Sequence, residues 1–112
     1  MDRSGVYVHF NFLTALRQAN RRSQLLRNMT SSQTKALCAI ARRIADGTIN
    51  PLRRDVQSFA RKRLVLRSLA SDRVSTARKK TILRRHESLV ATMVREIYLI
   101  RAIMDELGTA EQ

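Results

Sequence analysis

The side chains of this chain that can do chemistry are mostly cationic. Arg61, Lys62 and Arg63 are consecutive, and further Arg and Lys residues follow at short spacing. Guanidinium groups bind phosphate through paired hydrogen bonds and can enter a narrow minor groove, so this pattern favours a polyanion-binding surface. The residues predicted to bind nucleic acid are Arg53, Arg54, Arg61, Lys62, Arg63, Arg67, Arg73, Arg78, Lys79, Lys80, Arg84 and Arg85.

Residues suited to catalysis or metal binding are sparse. The single cysteine, Cys38, lies beside an apolar helical stripe, which is typical of a reduced thiol packed as a small hydrophobe. His86 lies between Arg85 and Glu87 on an apolar seam, where a polar residue more often sets register than catalyses. No Ser/His/Asp set, paired carboxylates, zinc-ligand set or Gly-rich phosphate loop is present. The sequence therefore predicts a protein that is not an enzyme and has no metal or cofactor.

The overall composition agrees with a polyanion as partner. The 112 residues include 22 Lys and Arg against 9 Asp and Glu, a formal net charge of +13, and Arg outnumbers Lys by 18 to 4. Self-repulsion at this charge opposes compactness unless a polyanion neutralises it, so nucleic acid is expected, DNA ahead of RNA. With 44% hydrophobic residues, 3 Gly and 1 Pro, the chain is expected to form one compact, mostly helical domain.

The N-terminal region alternates like a β-strand. Val6, Val8, Phe10 and Phe12 lie on one side of a two-residue period. Because no second alternating run exists, residues 1–12 are predicted to form an extended arm that lies over helices or pairs with another chain.

Helical spacing begins near Leu13 and continues loosely to Met29, which predicts a first helix. The hydroxyl side chains at 30–32 then supply an N-cap for a second helix, and Gly47 is its expected C-terminal residue. The first helix carries arginines between its apolar positions, and the third helix, described next, is expected to have one core face and one cationic face.

Two longer helices are expected in the second half. Asn50–Pro51 favours a helix start, because Asn caps free amides and Pro fits the first helical position; this third helix should reach about Ala70. The fourth should begin with Ser75 as its N-cap and reach about Leu107. Its apolar residues recur in steps of three and four, as in helices that pack together. The residues predicted to join copies of the chain are Leu83, Val90, Met93, Ile97, Ile100, Met104 and Leu107.

The charge divides the chain along its length. Residues 47–85 carry +10, whereas residues 86–112 carry −3. We therefore expect an N-terminal arm (1–12), a basic helical domain (13–85) and an apolar, mildly acidic helix (86–112) for packing or for the formation of homo-oligomers. Arrayed cationic domains on one polyanion would gain avidity.

Secretion and membrane insertion are not expected. The apolar stretch 89–104 is interrupted by Arg95, Glu96 and Arg101, and the N-terminal apolar run is too short for a signal sequence. The most apolar helix is also the acidic one, which disfavours binding to an anionic membrane surface. The sequence therefore predicts an intracellular protein.

Several segments between residues 24 and 85 resemble a known group of proteins. The segments are Lys35-Ala36-Leu37-Cys38-Ala39-Ile40, Gly47-Thr48-Ile49, Arg61-Lys62-Arg63, Leu66-Arg67-Ser68-Leu69-Ala70, Asp72-Arg73-Val74-Ser75, Arg78-Lys79-Lys80 and Ile82-Leu83. Their order and spacing resemble the short basic helical proteins encoded by virus-like DNA elements of animals, of the Polinton or adintovirus type.

The resemblance implies a viral or virus-derived protein, located in the virion interior or the host nucleus, that condenses or packages a genome. Capsid proteins are a further candidate partner of the chain. The resemblance supplies no catalytic residues. Many members continue into a Gly-Gly-Phe-Leu segment, whereas this chain continues with His86-Glu87-Ser88-Leu89. A capsid or membrane role attached to that segment is therefore not implied here.

The sequence thus predicts an all-α protein of about four helices, including a long C-terminal helix, with a short extended arm. The few aromatic residues (4%) are scattered, so sequence-independent phosphate contacts are expected rather than base stacking. Two alternatives remain open. One is a helical capsid-associated or scaffold protein that binds acidic protein partners. The other is a helix-turn-helix regulator whose third helix reads the major groove.

Overall fold

Helices form the regular structure of the chain. The computed structural model describes residues 9, 11–47, 51 and 53–95, and within these ranges every regular element is helical. The prediction of an all-α protein is therefore confirmed for the described part of the chain.

The helices are short and follow one another closely. A helical segment at residues 11–15 comes first. The elements that follow are α1 (Ala19–Arg27), α2 (Ser31–Ala45), a 3-10 turn (Arg53–Asp55), α3 (Val56–Arg61), α4 (Arg63–Ala70), α5 (Thr76–Arg85) and α6 (Glu87–Arg95). The described residues thus contain seven α-helical segments, and the prediction of about four helices is wrong.

The N-terminal prediction is wrong where it can be compared. Residues 11–15 are helical, and Phe12 is buried in the core, so the extended arm does not reach residue 12. Residues 1–8, the greater part of the predicted arm, lie outside the described residues. The predicted first helix is also interrupted, because the chain turns at residues 16–18 before α1 begins.

An arginine stabilises the turn before α1. The Nε atom of Arg22 donates to the carbonyl oxygen of Leu16 at 2.6 Å, and its Nη2 atom donates to that of Arg17 at 3.1 Å. Carbonyl groups at the end of a helix have no hydrogen-bond partner within the helix, so a side-chain donor at that position stabilises the helix end.

Helix α2 begins and ends where the sequence predicts. The Thr30 side chain accepts from the Gln33 amide at 3.1 Å, and the Gln33 side chain accepts from the Thr30 amide at 2.8 Å, which is a capping box. After the C-cap residue Asp46, Gly47 has a φ of 75°, in the left-handed region that glycine occupies without strain.

The predicted third helix is two helices. Pro51 is not helical, and regular structure begins with the 3-10 turn at Arg53. A second departure occurs at Lys62, which has φ −105° and ψ 22° and separates α3 from α4. The cationic sequence Arg61-Lys62-Arg63 therefore forms a bend in the chain and not the side of one helix.

The predicted long fourth helix is also broken. Ser75 is its N-cap as expected, because its hydroxyl oxygen accepts from the Arg78 amide at 3.2 Å. The helix stops at His86, which has φ −120° and ψ 54°, and α6 then runs to Arg95. The predicted continuation through residues 96–107 lies outside the described residues.

A single hydrophobic core holds these short helices together. Helix α2 packs most extensively on α4, and α5 and α6 complete the enclosure. Burying a Leu or Ile side chain contributes about 1.5–3 kcal/mol each, which is the main stabilisation available to helices of six to fifteen residues. The largest fully buried side chains are Leu16, Leu26, Leu37, Ile40, Leu69, Leu83, Val90, Met93 and Val94.

One buried ion pair ties the middle of the chain to α6. Asp55 is only 1% exposed, and its carboxylate accepts a hydrogen bond from the guanidinium of Arg95. Arg54 lies at the edge of this pair, with Nε 4.0 Å from the second carboxylate oxygen. Because a buried carboxylate is costly without a cationic partner, Arg95 is held to the 3-10 turn by this contact.

Candidate nucleic-acid interface

Cations far outnumber carboxylates on the described part of the chain. Twenty of the 22 Lys and Arg residues are described, together with four of the nine acidic residues. Two of those four carboxylates, Asp55 and Asp72, already form ion pairs with Arg95 and Arg42. Carboxylates of this region can therefore neutralise only a minority of its cations.

Solvent reaches every residue of the predicted nucleic-acid-binding set. Lys62, Lys79 and Lys80 are partly buried, and the other nine are exposed. The set is spread over the 3-10 turn, α3, α4, the following turn and α5. Six of its members belong to a joint and a groove, which are described next. The other six lie outside both: Arg53, Arg54, Arg67, Arg73, Arg78 and Lys80.

The joint lies where the two helix breaks meet. The Nζ atom of Lys62 lies 3.4 Å from Nδ1 of His86, so the break between α3 and α4 contacts the break between α5 and α6. Arg61 and Arg63 flank Lys62, and Arg84 and Arg85 precede His86, whereas the acidic Glu87 follows it. We call this group the joint cluster; it consists of Arg61, Lys62, Arg63, Arg84 and Arg85.

The joint cluster changes the titration of His86. Partial burial lowers the pKa of His86, and the positive charges of Lys62 and Arg85 lower it further. His86 is therefore neutral at pH 7, which avoids adding another positive charge to this surface. His86 was predicted to set the register of a helix seam, and its observed position is instead at a helix break.

One member of the joint cluster also supports the fold. Arg84 donates from Nε to the carbonyl oxygen of Leu26 at 3.2 Å, and from Nη2 to that of Arg27 at 3.1 Å. These bonds fasten the end of α5 to the last turn of α1. A guanidinium has five N–H donors, so Arg84 keeps further donors that can face a phosphate.

A groove between α2 and α5 gathers a second group of cations. Its volume is about 330 Å³, and Lys35, Arg42 and Lys79 contribute its positive charges. The full lining consists of Thr34, Lys35, Cys38, Ala39, Arg42, Leu69, Asp72, Thr76 and Lys79. Among these residues, the nucleic-acid-binding prediction included only Lys79.

A helical period could have revealed the rest of this groove. Residues 35, 38, 39 and 42 are spaced i, i+3, i+4 and i+7, so they share one face of α2.

Burial raises the pKa of the Cys38 thiol, while the nearby charges of Lys79 and Arg42 act in the opposite direction. Cys38 is therefore a buried, protonated thiol at neutral pH, in agreement with its predicted packing role.

The residues predicted to join copies of the chain fall into two groups. Leu83, Val90 and Met93 are fully buried inside the single chain, which places them in its core and not on a surface that a second copy can reach. The other four, Ile97, Ile100, Met104 and Leu107, lie outside the described residues. The large apolar side chains with the greatest exposure in the described part are Leu64 and Val56, at 72% and 49%.

Metal-binding clusters and membrane-spanning helices are not found in the described residues. These residues contain no group of three or more His, Cys, Asp and Glu residues arranged to hold a metal ion. None of the helices in this part of the chain combines the length and apolar character needed to cross a bilayer.

Comparisons with known proteins identify no relative: no family model, curated protein or solved structure matches the chain. The resemblance to proteins of virus-like DNA elements therefore stays a prediction from the sequence.

Proposed function

We propose that the protein binds nucleic acid through sequence-independent contacts to phosphate groups. The observation that carries this proposal is the imbalance of charge on the described residues, which include twenty cationic side chains and only four carboxylates. A surface that served only solubility would intersperse both signs. The high share of arginine adds support, since its planar fork matches two phosphate oxygens.

Contacts to the backbone fit this chain better than contacts to bases. The aromatic residues in the described part are Phe12 and Phe59, and both are buried in the core, 8% and 4% exposed. They offer no ring on which an unpaired base could stack. Arginines at a bend and on several short helices suit a run of phosphates, whereas base readout in a major groove needs one helix aligned along it.

The proposal extends to packaging of a genome by a virus-derived protein, with DNA as the preferred polymer. Condensation requires many copies on one polymer, because a single domain held by phosphate contacts loses affinity quickly as salt rises. Self-association through residues 97–107 would supply those copies. This part of the proposal follows from the sequence pattern and the viral resemblance.

A salt titration tests the proposal. Fluorescence anisotropy with two duplexes of unrelated sequence should give equal affinities, and log K should fall with log salt by about 0.9 for each phosphate contact. A flat salt response would overturn the proposal. An affinity ratio of about 1,000 between the two duplexes would favour the helix-turn-helix alternative instead.

Competition separates nucleic acid from an acidic protein partner. Poly-glutamate at equal charge concentration should displace duplex DNA poorly, because duplex DNA has the higher linear charge density and its binding releases more condensed counterions. Equal or better competition by poly-glutamate would favour the scaffold alternative, in which the basic surface meets acidic proteins.

A further inference from the structure

The groove between α2 and α5 has the features of a small anion site. It is concave and about 330 Å³ in volume, within the range of sites that enclose small ligands. Three of its lining residues are cationic and one, Asp72, is acidic, which leaves a net charge of +2. Exposed arginines elsewhere can follow an extended polymer, whereas a concave groove suits a compact ligand.

The three cations of the groove differ in their hydrogen bonds and in their exposure. Arg42 donates from Nη2 to the carbonyl oxygen of Ala70 and to Asp72 Oδ1, both at 2.8 Å. Its guanidinium carries three more N–H groups. Lys35 is exposed on α2 and Lys79 is partly buried on α5, so a lysine lines the cavity on each of these two helices.

Hydroxyl groups complete the lining. Thr34 is fully buried and donates its hydroxyl proton to the Thr30 carbonyl oxygen at 2.8 Å, which fixes its orientation. Thr76 contributes a second hydroxyl from the first turn of α5. Compact phosphate needs several hydrogen-bond donors around one centre of charge, and the two lysines, Arg42 and Thr76 can supply them.

We propose that this groove binds a compact phosphate group, either free pyrophosphate or a phosphate of a nucleic acid. The proposal goes beyond the proposed function, because it assigns a concave site to residues that an extended phosphate-binding face does not require. The site depends on Lys35 and Lys79 for attraction and on Arg42 for a fixed donor. Asp72 weakens it by placing a negative charge at the rim.

Amide NMR titration with sodium pyrophosphate at physiological salt provides the test. Resonances of Thr34, Lys35 and Thr76 should shift and saturate before those elsewhere in the chain. The double variant Lys35→Gln/Lys79→Gln should bind at least about tenfold more weakly, since each missing ammonium removes a charge-assisted hydrogen bond. Shifts spread evenly over all cationic surfaces would overturn the proposal.

Two further variants control for net charge. Arg67→Gln/Arg85→Gln removes the same two charges from residues that do not line the groove, and pyrophosphate affinity should change less than about twofold. Asp72→Asn should tighten binding about threefold, because it removes the one negative charge of the lining. Equal weakening in both double variants would show a bulk charge effect and overturn the site.

Cys38 gives a second readout on the unmodified chain. It lines the groove and is the single cysteine of the sequence, so a thiol reagent reports on one position. Saturating pyrophosphate should slow its modification at least about threefold by restricting access. If the lysine variants fail to fold, this measurement still tests the phosphate site. An unchanged rate of Cys38 modification would overturn the proposal.

Oligonucleotides identify the source of the phosphate. A short DNA strand with a 5′-phosphate that shifts the groove resonances, when its 5′-hydroxyl form does not, would support a terminal phosphate. Shifts with both would support internal phosphates, and shifts with pyrophosphate alone would support a free ligand. Retained duplex binding without any pyrophosphate site would overturn this inference and leave the proposed function intact. Pyrophosphate binding in the groove without duplex binding would support this inference and overturn the proposed function.

Discussion

The amine of Lys62 lies 3.4 Å from Nδ1 of His86, and each of these residues marks the end of one helix and the start of the next. A lysine ammonium can only donate, so Nδ1 must accept and the imidazole must be neutral for this contact to form. Protonation of His86 would replace the contact with repulsion from Lys62 and from the adjacent Arg85. The joint between the two pairs of helices is therefore sensitive to pH.

We expect stability to fall on the acid side because of His86. Its pKa is lowered in the folded protein by burial and then by Lys62 and Arg85, from an ordinary value of 6.5. As pH falls below 6.5, the unfolded chain binds a proton that the folded chain resists, so unfolding is favoured. The contribution of neutral His86 is present above that pH and is lost as pH falls through the lowered pKa. Urea denaturation at several pH values measures this loss.

Two substitutions isolate the effect of His86. His86→Gln should flatten the stability profile over the window below pH 6.5, while acid losses due to other groups remain. His9→Gln is the matched control for removal of one imidazole from the chain. If His86→Gln and the unmodified chain gave identical profiles, this account of the joint would be wrong.

Local sequence signals predicted α2 well. Its N-cap depends on Thr30 and Gln33, three residues apart, and its end depends on Gly47 adopting a positive φ. Ser75 was likewise identified as the N-cap of α5. These features involve residues within one turn of each other, so the sequence alone specifies them.

The helix breaks at Lys62 and His86 could not be predicted in the same way. Apolar residues continue at helical spacing across His86, and Leu83 and Val90 on either side are both fully buried. The pattern therefore identified core residues correctly but not the change of direction between them. That change is stabilised by contacts distant in sequence, including Lys62 with His86 and Arg84 with Leu26.

The candidate sites were predicted in part for a related reason. Density of charge along the sequence identified Arg61, Lys62, Arg63, Arg84 and Arg85, and the contact of Lys62 with His86 links the two stretches that carry them. Lys35 stands alone in the sequence, Arg42 forms only a pair with Arg43, and both groove residues were missed. Folding brings them to Lys79, which is distant in the chain.

Loss of Arg95 should destabilise the fold more than loss of its partner. Arg95→Met would leave the carboxylate of Asp55, 1% exposed, without its hydrogen-bonded cation, at a cost of roughly 3 kcal/mol. Asp55→Asn should cost only about 1 kcal/mol, because the Arg95 side chain is 48% exposed and can regain water. Urea denaturation of both variants measures the difference. Arg54→Gln is the control at the edge of the pair. If Asp55→Asn lowered the free energy of unfolding more than Arg95→Met does, this account of the ion pair would be wrong.

Arg84 should be more important to stability than its neighbour Arg85. Arg84→Lys loses the geometry by which one guanidinium donates to the Leu26 and Arg27 carbonyls, and we expect a cost of about 1–2 kcal/mol. Arg85→Lys keeps the same charge and should be within about 0.5 kcal/mol of the unmodified chain. Thermal unfolding of the two variants compares them directly. Equal melting temperatures would show that the Arg84 contacts contribute nothing to folding.

The position of the nucleic-acid interface can be tested without disturbing the fold. Arg61, Arg63 and Arg67 are exposed on α3 and α4, and replacing all three by Gln leaves Lys62 and its contact with His86 in place. Duplex affinity should fall at least about tenfold, and the salt slope should decrease by about 0.9 for each phosphate that the variant no longer neutralises. Anisotropy titrations measure both quantities, with circular dichroism to verify helicity.

The matched control removes three exposed arginines from the other half of the chain, Arg17, Arg21 and Arg27. Both variants lower the net charge equally, so any effect of total charge on association is the same for both. Counterion release, however, depends on the cations that touch phosphates, and only the first variant should reduce the salt slope. Equal changes in slope would mean that phosphates contact both halves of the molecule, and the joint cluster would then have no special part in binding.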